Sequence, residues 1–83
     1  CLAYYLAFLS ELGVNVEDAG LQQLCLTLYR LGDYDVLRNA AGALFEAHSE
    51  TRVQTPNGYI KTALRQRWKP RYEKTPLYNG DFE

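Results

Sequence analysis

Eighty-three residues are enough for one hydrophobic core and too few for two, because each core must offset the entropy of its own chain. A composition 47% hydrophobic and 23% charged excludes a chain that stays disordered for want of apolar surface. The net charge of −1 excludes a uniformly basic or acidic protein but hides an asymmetry. Residues 1–50 carry two basic and seven acidic side chains, and residues 51–83 carry seven basic and three acidic.

From the N-terminus, Leu2, Tyr5, Leu6, Leu9 and Leu12 recur at helical spacing and Gly13 follows, which predicts a first helix ending near Leu12. The stretch is too short to span a bilayer and lacks a basic lead-in, so it reads as a core helix with no membrane role. The chain has no methionine and opens on Cys1 within this pattern, as a fragment of a longer protein would. Its two cysteines, Cys1 and Cys25, lack the dense spacing of a secreted disulfide scaffold, and a reducing, cytoplasmic setting is expected.

Asn15 or Asp18 is placed to cap a second helix with the stripe Leu21, Leu24, Cys25, Leu28 and Leu31, stopped at Gly32. Asp33 stands where an N-cap would open a third helix, with Asp35 near its positive end and Val36, Leu37, Ala40, Leu44 and Ala47 facing inward. The connection through Thr55, Pro56, Asn57 and Gly58 is turn chemistry. A fourth helix then starts near Pro56, with Tyr59, Ile60, Ala63, Leu64 and Trp68 as its core stripe and Pro70 as its stop. These elements predict an all-α fold, a compact bundle of about four helices over residues 1–70, followed by an extended tail over residues 71–83. The tail carries Tyr72, Leu77, Tyr78 and Phe82, large apolar groups that need a surface.

Catalytic chemistry has little to work with. His48, the chain's one histidine, falls near the end of the third helix and suits a helix terminus. Cys25 lies on an apolar stripe and reads as a buried hydrophobe. Two distant cysteines and one histidine make no metal set, the glycines fall singly, and neither an enzyme nor a cofactor is expected.

The informative stretch runs from Arg52 to Lys74, where seven basic residues meet one acid, Glu73, with Tyr59, Trp68 and Tyr72 among them. Cations of this density suit a phosphate backbone and aromatic faces can stack on unpaired bases. The same cations could pair with the acidic first half, with an acidic protein, or with the acidic helices of a neighbouring copy. The candidate binding residues are Lys61, Arg65, Arg67, Trp68, Lys69, Arg71 and Tyr72, and the candidate partners are DNA, single-stranded or duplex, and an acidic protein.

Within that stretch, Pro56 through Trp68 resembles the last helix of the DnaD/DnaB-like replication proteins of bacteria and their phages, with Tyr59, Ile60, Leu64 and Trp68 as counterparts of that family's tyrosine, isoleucine, leucine and tryptophan. The order of the earlier helices is similar too. The resemblance implies an all-helical, replication-related adaptor whose last helix and following segment contact DNA, with Lys61, Arg65, Arg67, Lys69 and Arg71 as the matching basic positions.

Overall fold

The computed structural model describes residues 2–71, so Cys1 and the predicted tail from Tyr72 onward lie outside the described residues. Four helices, α1 (Leu2–Glu11), α2 (Ala19–Leu31), α3 (Tyr34–Ser49) and α4 (Pro56–Gln66), form a compact all-α globule with no strand among the described residues. The central element is α3, which packs most extensively on α4 and then on α2. Its residues 40–44, Ala40, Ala41, Gly42, Ala43 and Leu44, are all buried. Small side chains on several sides of one helix let its neighbours approach closely, and Leu37, Leu44, Ile60, Ala63 and Leu64 fill the space between them.

Helix starts follow the sequence closely. Asp18 caps α2, its carboxylate accepting from the Gly20 and Leu21 amides at 3.0 and 3.3 Å. Asn15 instead accepts from the Glu17 amide in a local turn. Asp33 occupies the position before α3, as expected, but its side chain makes no capping hydrogen bond. Pro56 sits in the first turn of α4, where its missing N–H costs nothing.

Helix ends share one device that the sequence reveals only half the time. Each helix is followed by a left-handed residue, Gly13, Gly32, Thr51 or Arg67. In each case the next amide reaches back five residues: Val14 to Leu9, Asp33 to Leu28, Arg52 to Ala47 and Trp68 to Ala63, all at 2.9–3.1 Å. Glycine announces the first two ends. Thr51 and Arg67 take the same conformation at φ 54° and 58° without glycine's freedom, so nothing in the sequence marks them. As a result α4 stops at Gln66, and not at Pro70 as the sequence suggests. The left-handed turn at Arg67 removes Trp68 from the helical stripe, leaving it 39% exposed where a core position was expected. Because a β-branched residue is strained in this region, Thr51→Gly is expected to stabilise the fold by about 1 kcal/mol, read as a raised midpoint in urea. An unchanged or lowered midpoint would mean that Thr51 is not strained.

Candidate functional site at the end of α4

The tight turn closing α4 turns a short run of chain outward. Residues 65–69 are all exposed, so Arg65, Arg67, Trp68 and Lys69 all face solvent at the corner where α4 ends. The Trp68 indole stands edge-on to the Tyr59 ring, with centroids 5.3 Å apart and planes at 68°, a favourable aromatic arrangement. Tyr59 is fixed in turn by its hydroxyl, which donates to the Ala43 carbonyl at 3.4 Å. On one side of this pair lies a cleft of about 280 Å³ with Ala43 and Glu46 at its base and Arg52 and Lys69 on its rim. A second cleft, of about 290 Å³, presents Gln54, Thr55 and Thr62. The two aromatic rings and Arg52 are shared by both clefts.

The acidic and basic halves of the sequence are largely each other's partners. Lys61 Nζ lies 2.6 Å from Asp18 Oδ2. Arg67 approaches Asp33 at 3.9 Å, Arg52 reaches Glu50 at 2.8 Å, and Arg71 bonds both Glu46 and Glu50. Among the described residues, Arg65 and Lys69 have no carboxylate within salt-bridge distance, and Arg67, its side chain 68% exposed, is held only loosely. The seven candidate residues therefore divide three ways. Arg65, Arg67, Trp68 and Lys69 are exposed where α4 ends, Arg67 reaching toward Asp33 and Trp68 toward Tyr59; Lys61 and Arg71 are engaged inside the fold; Tyr72 lies outside the described residues.

Lys61 belongs to a lock between the α1 to α2 loop and the first turns of α4. The Asn57 side chain accepts from the Asn15 amide at 2.8 Å and donates to the Asn15 carbonyl at 2.7 Å, and it also donates to Asp18 at 3.2 Å. One turn on, Lys61 donates to the same Asp18 carboxylate. That hydrogen bond, aided by the Leu21 amide and Asn57, holds the Asp18 carboxyl down to about 2 from its ordinary 3.8. Arg52 and then Arg71 likewise hold Glu50 below its ordinary 4.5. Both groups are depressed, so the stability they add is full above those ordinary values and is lost as pH falls through the folded ones. The urea midpoint should hold from neutral pH to about 5 and fall between pH 4.5 and 2. Asp18→Asn should flatten the lower part of that fall, and an equally steep fall in the variant would deny the Lys61 contact its role.

Two other candidates have structural positions. Cys25 is 1% exposed within the core, and burial pushes its thiol up to about 12. His48 is exposed in the last turn of α3. Among the described residues no three of histidine, cysteine, aspartate and glutamate converge as metal ligands do, and no helix is long and apolar enough to cross a membrane.

The residue that sequence reading missed is Glu46. At 6% exposure it is the buried charged side chain among the described residues, and both its oxygens accept from the Arg71 amide, at 2.9 and 3.1 Å. A signal was present: Glu46 interrupts the run Ala43, Leu44, Phe45, Ala47 on a helix whose other buried positions are apolar or glycine, and a charge there needs a partner. No protein-family model matches the chain, and comparisons with curated proteins and with solved structures return no match.

Proposed function

We propose that this chain is a non-catalytic DNA-binding module that engages its ligand through the corner closing α4. The observation that supports this reading is the exposed run of residues 65–69, in which the three cations Arg65, Arg67 and Lys69 flank a half-exposed tryptophan. Long cationic side chains in water neutralise phosphates with release of counterions, and an indole with a free face stacks on a base. Lys61 contributes little here, since Asp18 already satisfies it. A replication context rests on the resemblance of α4 to the DnaD/DnaB-like proteins.

The test is fluorescence anisotropy with labelled single-stranded and duplex DNA across a salt series. With three phosphates engaged on a single strand, the affinity should fall with a log–log slope of about −2, or roughly 20-fold for a fourfold rise in salt. Combined replacement of Arg65, Arg67 and Lys69 by alanine should abolish the salt-sensitive binding. Absence of binding at low salt would end this reading.

A second reading, a protein-interaction module with an acidic partner, draws on a different observation. Among the described residues Arg52, Lys61 and Arg71 are already paired with carboxylates of this chain, while Tyr4 and Leu31 are 72% and 69% exposed and α1 carries no charge before Glu11. Aromatic groups dominate protein interfaces. If an acidic peptide binds more tightly than DNA and Trp68→Ala weakens it more than the cation replacements do, this second reading takes precedence.

A further inference from the structure

Glu46 sits on α3, yet its hydrogen bonds reach 25 residues along the chain. Both carboxylate oxygens take the main-chain N–H of Arg71, and Oε1 also lies 3.4 Å from the Arg71 Nε. The far end of the same guanidinium bonds Glu50 at 2.9 and 3.2 Å, and Glu50 in turn holds Arg52 at 2.8 Å. Burying a carboxylate is costly unless strong donors replace its water. A main-chain amide is a donor that fixes the path of the chain whatever side chain it carries.

The consequence lies between the two anchored ends. After the left-handed turn at Arg67, the Trp68 amide is tied to the Ala63 carbonyl, and three residues later the Arg71 amide is tied to Glu46. Trp68, Lys69 and Pro70 thus form a strap fastened at both ends, and Trp68 and Lys69 line the same cleft as Glu46.

We infer that Glu46 is the positioning residue of the binding corner: its carboxylate latches the strap so that Trp68 stays against Tyr59 and Lys69 keeps its place on the exposed run that also carries Arg65 and Arg67. The binding half of this inference rests on the DNA reading above, whereas the latch itself does not. Removing a negative charge beside a cationic surface should strengthen binding of a polyanion by simple electrostatics, but removing this one should weaken it, because the strap is released and the ligand must then order it at its own entropic cost.

Trp68 is the chain's only tryptophan, so its emission reports the strap directly. In Glu46→Ala, with helix content by circular dichroism unchanged, Trp68 emission should shift to the red and acrylamide quenching should rise. Affinity for a short oligothymidylate should fall by roughly tenfold, or about 1.4 kcal/mol. Glu46→Gln, which keeps one acceptor oxygen, should recover much of the wild-type emission. Two substitutions at the exposed end guard against a misfolded core. Arg71→Pro removes the amide donor and should unmask Trp68, while Arg71→Ala keeps that donor and should leave Trp68 near its wild-type state.

Unchanged Trp68 emission in both Glu46→Ala and Arg71→Pro would overturn the latch whatever happens to DNA binding, and tighter oligothymidylate binding by Glu46→Ala would overturn its positioning role. If the wild-type chain binds no oligonucleotide while Glu46→Ala still unmasks Trp68, the DNA reading fails and the latch stands.

Discussion

Leu44→Ala is expected to lower the free energy of unfolding by about 3 kcal/mol. Leu44 is fully buried on α3, within the cluster that includes Ala40, Ala41, Ile60, Ala63 and Leu64. Many of its neighbours are already alanines on rigid helices, so they have no side-chain length with which to fill the space a truncated leucine leaves, and the site cannot collapse. For a chain of this size total stability is on the order of 4–12 kcal/mol. One methyl-bearing branch at the α3 to α4 contact would therefore carry a large fraction of it. Urea denaturation should show a lower midpoint with the same slope. A loss under about 1 kcal/mol would mean that the interface is looser than its burial suggests.

Tyr5 gives the second large effect, and its two parts can be separated. The side chain is fully buried, and its hydroxyl donates to the Leu37 carbonyl at 2.6 Å. With Leu9 it is one of only two buried residues within α1, so it fastens that helix to α3. Tyr5→Phe removes the hydrogen bond alone and should cost about 1 kcal/mol. Tyr5→Ala removes the ring as well and should cost about 4 kcal/mol. Hydrogen exchange should show α1 amides losing protection first in Tyr5→Ala, since Leu9 is then the one fully buried side chain left on that helix. Equal costs for the two variants would mean that the ring's burial adds nothing, and uniform loss of protection across all helices would mean that α1 does not open separately.

The lock at Asn57 and the latch at Glu46 do the same physical work at two ends of α4. Each uses a side chain on one element to bond main-chain groups of a distant one, Asn15 in the first case and Arg71 in the second. Between them they fix both the approach of α4 to the α1 to α2 loop and the course of the chain that leaves it. In the proposed DNA-binding role, an exposed run held at both sides in this way would leave less ordering to be done on contact.

The helices were legible in the sequence because their cause is local. The three and four residue spacing of Leu21, Cys25 and Leu28, or of Ile60, Ala63 and Leu64, reports the helical period directly, and Gly13, Gly32, Asp18 and Pro56 mark ends through their own backbone or side-chain preferences. The same logic explains what was misread. Thr51 and Arg67 adopt a conformation that favours glycine without being glycine, so the periodic stripe carries α4 on to Trp68 in the sequence while the chain itself leaves the helix at Gln66.

The sequence likewise displayed its charge asymmetry without revealing its meaning. Composition shows that the first half is acidic and the second basic, but which cation meets which carboxylate depends on residues 20 to 45 positions apart coming together, as Lys61 does with Asp18 and Arg71 with Glu46. Sequence alone therefore determined the all-helical class, the positions of the helix starts and most of the core, since each follows from periodicity and local backbone preference. Only the tertiary structure decided which of the clustered cations are spent inside the fold, where the last helix turns, and that a buried glutamate holds the chain beyond it, because each of these depends on contacts between groups that the linear order keeps apart.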